Sequence, residues 1–331
     1  MRFAISTILL GFSLFLPAMD RISDRWQQGM TVSCQGYGRE WGTDLFAEEL
    51  DRLAAMGVNS ITIHPYARIN EDGSVTWRQW PKDKPPIYFT RPIREAHTRG
   101  LSIMIKPHLA YWGSSFSWRG DIKFEDPAAR QRFFDTYRTW IVEMARISAD
   151  ADIFVVGAEL KHFIGYDQWW KEVIADVRRV SKSKLTYAAN WDSYNKIKFW
   201  KDLDYIGVQG YFPITAQPAP DRAALENGWK PVIAQLKGLY REYKKPVLFT
   251  EFGYNRSMRT AKEPWAYDQD HAEEAEQLQA LCLEVGLEIL AKEKSWFHGA
   301  WLWKWFAGPA PWANFRLDTP RLRKVIRSAW K

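Results

Sequence analysis

Ile153-Phe154-Val155-Val156-Gly157-Ala158-Glu159 decides how the 331-residue chain is read. Four β-branched or aromatic apolar residues run together, two small ones follow, and a carboxylate ends the run. A short continuous apolar run fits a strand buried on both faces, as in a parallel sheet. The form recurs downstream at residues 185–189, 205–209, 246–249 and 298–305, and upstream at 30–34, 58–65 and 101–109.

Helix-period segments separate these runs. Leu45, Phe46, Leu50, Leu53 and Met56 keep one face apolar and stop at Gly57. A helix is predicted over 91–99, with Pro92 in its first turn and Gly100 after its end. Asp126-Pro127 reads as an N-cap with proline at the first helical position. Further helices are predicted over 167–180, around Val232 to Tyr240, and over 271–292, with a short helical piece after the fifth run. Thr319-Pro320 caps the last one. Eight strand–helix units predict an α/β fold, a (β/α)8 TIM barrel in a single domain spanning 19–331. A doubly wound open sheet would need a glycine-rich phosphate turn after its first strand, and Gln35-Gly36-Tyr37-Gly38-Arg39 is not that fingerprint.

Composition narrows the class. Forty-six per cent of residues are apolar and 26% charged, which excludes a mostly disordered chain. The net charge of +7 is dispersed. Its nearest cluster, Arg321, Arg323, Lys324 and Arg327, has the spacing of a solvated helix face. The 19 tryptophans imply either bulky core or flat faces offered to a flat ligand, sugar or base. Arg2, an apolar run to Leu16 and then Pro17-Ala18 read as an export signal over 1–18, with an uncleaved anchor as the alternative. The expected location is secreted or periplasmic, with no stable membrane association after cleavage. Cys34 and Cys282 are expected to be free buried thiols.

Barrel chemistry sits at the C-terminal ends of the strands. The polar residues there are His64, Lys106, His108, Glu159, Asn190, Asp192, Tyr211 and Glu251, with Trp301 and Trp303 ending the eighth run. Glu159 and Glu251 each continue a very apolar run, and a carboxylate against a buried strand is costly unless paired or used. Two carboxylates in one pocket can hydrolyse a glycosidic bond. One donates a proton to the leaving oxygen while the other attacks the anomeric carbon or activates water.

Glutamates ending strands 4 and 7, with aromatics on strands 6 and 8, resemble the retaining glycoside hydrolases of clan A. The resemblance is closest to glycoside hydrolase family 113, endo-β-1,4-mannanases. It is carried by Val156-Gly157-Ala158-Glu159-Leu160, Asp204-Tyr205-Ile206-Gly207-Val208-Gln209, Thr250-Glu251-Phe252-Gly253-Tyr254 and Ala300-Trp301-Leu302-Trp303. It implies Glu159 as acid/base, Glu251 as nucleophile, and Tyr211 as hydrogen-bond donor to Glu251. The clan's usual Asn before the acid/base is Ala158 here, which leaves the sugar 2-hydroxyl contact to another residue, with Asn190 the candidate.

Lys106 and His108, two apart, either contact sugar hydroxyls or hold Glu159 in place. His64, Trp112 and Trp191 are further candidate substrate contacts. Trp303 or Trp301 is expected at the cleaved sugar, with strand alternation taken to let only one face inward. Trp77, Trp80, Trp118 and Trp312 are also expected on the catalytic side, and Trp140, Trp169, Trp170, Trp200 and Trp229 in helix packing. The six histidines are scattered, so neither metal nor cofactor is expected. The expected partner of this monomer is a polysaccharide or oligosaccharide. Nucleic acid is not expected, since basic residues are not interleaved with the aromatics. Xylan, β-glucan or a cell-envelope glycan remains an alternative substrate, and an inactive glycan-binding barrel an alternative function.

Overall fold

The computed structural model describes residues 25–81, 83–310 and 314–331. The export segment 1–18 and Trp312 lie outside the described residues. Eight parallel strands pair in chain order and close on themselves: β1 (Gln27–Ser33), β2 (Ser60–Ile63), β3 (Ser102–Ile105), β4 (Ile153–Ala158), β5 (Lys184–Ala189), β6 (Ile206–Gln209), β7 (Val247–Phe252) and β8 (Phe297–Phe306). The register of the closing pair runs from Gln27 opposite Gly299 to Ser33 opposite Phe306. This is the expected (β/α)8 barrel.

The outer ring is α1 (Asp44–Ala54), α2 (Ile87–Thr98), α3 (Pro127–Ile147), α4 (Asp167–Val180), α5 (Arg222–Tyr243), α6 (Glu273–Ala291) and α7 (Pro320–Trp330). Two 3-10 turns, Tyr194–Lys196 and Phe199–Asp202, take the place of a helix after β5. Caps start the helices where the sequence indicates. Asp126 accepts from the Ala128 and Ala129 amides, both at 3.1 Å, and Thr319 accepts from Leu322 at 3.3 Å. Helix α2 starts four residues before its predicted start, leaving Pro92 in its interior. Phe89, Ile93 and Ala96 bury one continuous stripe, and that packing carries the helix back past the proline.

The run 101–109 divides at Lys106-Pro107, where proline offers no ladder donor. Strand β3 stops at Ile105. His108–Ala110 pairs instead with Tyr66–Ile69, which also pairs antiparallel with Val75–Thr76. This small sheet sits just beyond the ends of β2 and β3.

The tryptophans sort by layer. Trp140, Trp170, Trp200 and Trp229 are fully buried, and Trp169 packs partly buried beside them. At about 25 cal/mol per Å2, each fully buried indole contributes roughly 4–6 kcal/mol of apolar transfer before entropy is subtracted. Trp77 and Trp80 also pack on the core: Trp77 donates to Glu143 of α3 at 2.8 Å, and Trp80 lies edge-on to Phe89 of α2. Both lie in the connection between β2 and α2 as half-buried rings packed on helices.

Trp301 is fully buried inside the barrel among Met104, Ile153, Val155, Ala188 and Leu248, and donates to Ser60 Oγ at 3.0 Å. Gly29 makes room for it, since a Cβ there would stand 2.3 Å from Trp301 Cδ1. Cys34 and Cys282 are unbridged, Cys282 buried and Cys34 half-buried just past β1. In the basic cluster of α7, Arg321 pairs with Glu273 and Arg323 with Asp318. No helix among the described residues is long and apolar enough to cross a membrane.

Candidate active site

Glu251 lies within β7, 3% exposed. Its Oε1 contacts the Lys106 ammonium, and its Oε2 accepts from the Tyr211 hydroxyl at 2.8 Å. Lys106 also donates to the Thr250 carbonyl at 3.2 Å. Lys106 is fully buried, and desolvation lowers its pKa, with Glu251 pulling the other way. Tyr211 follows β6, and burial together with the Glu251 charge pushes its pKa well above the ordinary tyrosine value. It stays protonated and can only donate to the carboxylate.

Glu159 stands one residue past β4 in the left-handed region, φ 60°. That backbone costs about 1–2 kcal/mol for a residue with a Cβ. The Glu159 amide donates to the Ala188 carbonyl at 2.9 Å and its carbonyl accepts from the Lys161 amide at 2.7 Å, so both neighbours hold the turn. The turn directs the side chain to Arg119, whose Nε and Nη2 both lie 2.8 Å from Oε2. Desolvation raises the Glu159 pKa most, Arg119 opposes it, and the Glu251 charge raises it further; the net shift is upward. Each carboxylate thus has its own cation, Lys106 for Glu251 and Arg119 for Glu159. Lys106 was expected to hold Glu159 if it held either.

His64, His108 and Trp303 form a stacked group beside Glu251. The two imidazole centroids are 5.2 Å apart, and that of Trp303 is 6.1 Å from His108. Burial and the cations Lys106, Arg119 and Lys304 push both histidines well below their ordinary pKa, so they are neutral. His64 Nε2 is 3.0 Å from Ser33 Oγ. His108 Nε2 is 3.8 Å from Glu251 Oε1, and neither His108 ring nitrogen has a hydrogen-bond partner among the described residues. They are buried polar atoms whose hydrogen bonding the described residues leave unmet.

Trp303 packs with Tyr211 and Phe315, and Trp191 leans on that cluster while stacking on Trp265 at 4.9 Å. Trp112 is 54% exposed and covers Tyr66 at 5.2 Å. Two expectations change. Trp301 and Trp303 both face inward, because residues two apart on a strand share a face. Trp303 reaches the site, while Trp301 sits deeper in the barrel and cannot touch a substrate. Asn190 uses one of its two amide N–H donors on Asp192 Oδ1 at 3.0 Å, and the Lys161 ammonium takes Asp192 Oδ2 at 2.7 Å.

Sequence reasoning missed Arg119 and Lys304. Arg119 sits in a 3-10 turn of the β3–α3 connection (Arg119–Asp121). The demand for a cation beside a second buried carboxylate was the available signal. Lys304 follows Trp303 on β8, its ammonium 4.8 Å from the Trp303 ring centroid and 5.2 Å from that of Phe306. Among the described residues no three His, Cys, Asp or Glu side chains gather as a metal site.

A carboxylate clamped by two donors beside a second with a raised pKa can act as an anion and a proton donor on one bond. The family model for Glycoside Hydrolase Family 113 matches residues 30–313. Among solved structures, a GH113 β-mannanase from Alicyclobacillus acidocaldarius superposes with a TM-score of 0.78 at 23% identity, over 93% of this chain and 99% of that one. A second GH113 β-1,4-mannanase gives 0.78 at 22%, over 92% and 99%. A family 5 mannosidase from Rhizomucor miehei gives 0.58 at 11%, over 92% and 93%. Comparison with curated proteins finds no match. The paired barrel-end glutamates and the family match agree, and the chain belongs to glycoside hydrolase family 113.

Proposed function

We propose that this glycoside hydrolase is a retaining endo-β-1,4-mannanase that works by double displacement. The observation that carries the reading is the unequal treatment of the two carboxylates. Glu251 is held by Lys106 and Tyr211, both donors, which suits a nucleophile that reacts as the anion. Glu159 has a raised pKa and only Oε2 engaged by Arg119, which suits a proton donor acting through Oε1.

In the first step Glu251 attacks the anomeric carbon as the C–O bond breaks, and Glu159 gives its proton to the departing oxygen. The pKa of Glu159 then falls, because the Glu251 charge is now an ester. In the second step Glu159 takes a proton from water, which opens the ester with retention. The family 113 β-mannanases that the chain resembles support mannan as the substrate. The segment 1–18 supports export, and N-terminal sequencing of the secreted chain tests it.

The test is hydrolysis of a panel of β-linked polysaccharides by wild type, Glu159→Gln and Glu251→Gln, with the anomer of the first product read by NMR. Cleavage of β-1,4-mannan giving the β-anomer, lost in both variants, supports the reading. Undiminished activity in Glu251→Gln, or the α-anomer as first product, overturns the mechanism.

A further inference from the structure

Trp265 carries an exposed ring that the two carboxylates and their cations do not use. One face of it lies on Trp191, with the centroids 4.9 Å apart and the planes at 22°. The residue still keeps 39% of its surface exposed. Its place is fixed from within the loop that follows β7. Asn255 there is fully buried, and its amide nitrogen donates to the Glu263 carbonyl at 2.8 Å and the Ala266 carbonyl at 2.9 Å, on either side of Trp265. Ser257 donates to Asn255 Oδ1 at 2.7 Å. Arg259 pairs with Asp268 and, at 3.1 Å, with Glu263. The indole is therefore held in place before any ligand arrives, and little conformational freedom is lost when one stacks on it.

The ring stands at the mouth of the site. Trp191, beneath it, packs on the cluster of Tyr211, Trp303 and Phe315, and Tyr211 is the donor to Glu251. Tyr267, two residues beyond Trp265, meets Phe315 edge-on at 6.2 Å, and the charges of Arg119, Glu159 and Glu251 all reach its hydroxyl. An ion pair gives the side of the site. Lys161, two residues past Glu159, binds Asp192, the residue after Trp191, at 2.7 Å. The loop that carries the proton donor is thus tied to the loop that backs Trp265. The departing sugar lies on the proton donor's side of the bond, because its oxygen takes the proton there. A neutral β-1,4-linked pyranose brings hydroxyls and apolar C–H edges but no charge, and a flat indole face suits those edges.

We propose that Trp265, backed by Trp191, is the stacking platform for the first sugar on the leaving side of the cleaved bond. This rests on the glycosidase reading above and adds to it the residue that holds the departing half of a neutral chain.

The test compares β-1,4-mannotetraose with β-mannobiosyl fluoride, whose leaving group is a single atom and cannot reach Trp265. The kcat/KM for each is measured in wild type, Trp265→Ala and Trp265→Tyr. The ratio of tetraose to fluoride is expected to fall about tenfold in Trp265→Ala and to be largely restored in Trp265→Tyr, which returns a ring. Binding is read separately, by calorimetry of mannotetraose with Glu159→Gln. Adding Trp265→Ala to that variant is expected to weaken binding about fivefold.

An unchanged ratio in Trp265→Ala overturns the proposal, since a loss shared by both substrates does not come from the leaving side. So does a fallen ratio that Trp265→Tyr leaves unrelieved, or undiminished binding of mannotetraose. Cleavage of both substrates by wild type with an unchanged ratio in Trp265→Ala overturns this inference and leaves the mannanase reading standing. Weakened binding in Trp265→Ala without cleavage of either substrate by wild type leaves the sugar platform standing and overturns the hydrolase mechanism.

Discussion

Arg119 grips Glu159 by one oxygen only: Nε and Nη2 both lie 2.8 Å from Oε2. The guanidinium orients the carboxyl without occupying the atom a proton would leave from. It also opposes the upward push of burial, keeping the acid from being too weak to give that proton up.

Replacing Arg119 with Met removes that opposing charge. The alkaline limb of kcat/KM reports loss of the acid's proton, so it is expected to move to higher pH, by on the order of one to three units. Maximal activity falls as well, since the carboxyl is no longer oriented. A pH–rate profile checks both; an unmoved alkaline limb rules out Arg119 as the tuning charge.

Tyr211→Phe removes one of two donors to Glu251 while keeping the ring packed on Trp303 and Phe315. A hydrogen bond to a charged group contributes about 1.5–3 kcal/mol, a factor of roughly ten to a hundred. The loss is expected mainly in kcat, measured by steady-state kinetics on mannan oligosaccharides.

Glu251→Gln does more than stop the reaction. Breaking a buried ion pair by removing one partner costs about 3–5 kcal/mol. Lys106 is then a buried cation with its pKa below the unfolded value, so the unfolded chain binds more protons. Stability of this variant is expected to rise with pH between the folded and unfolded pKa values of Lys106. Urea melts at a series of alkaline pH values test this, and a flat profile contradicts it.

Gly29→Ala puts a methyl 2.3 Å from Trp301 Cδ1 in a barrel interior with no slack. Overpacking of this kind costs about 1–3 kcal/mol. A lower melting temperature is expected, with little change in KM, because Trp301 lies beneath the site.

The strand ends were legible because a parallel barrel needs continuous apolar runs, and a polar residue ending such a run has few other reasons to be there. Glu159, Glu251, Lys106, His108 and Tyr211 all fell out of that pattern. Arg119 did not, because it reaches the site from a 3-10 turn whose conformation no periodicity encodes. Lys304 was hidden by its position: a lysine after a tryptophan on a strand reads as the outward neighbour of an inward ring. The placement of Trp301 failed for a different reason. Alternation sets which way a side chain points, and depth along the barrel axis sets what it meets. Asn190 was chosen by location, and the structure ties one of its amide N–H donors to Asp192.

Strand β8 carries both the indole that plugs the barrel and the indole that floors the site, two residues apart on one face. Its length is therefore shared property. A single-residue insertion or deletion ahead of Trp301 would turn both rings outward together, emptying the core and removing the indole beside Tyr211 in one event. Loops around the mouth can lengthen or shorten and retune what is bound. This strand has to be inherited whole.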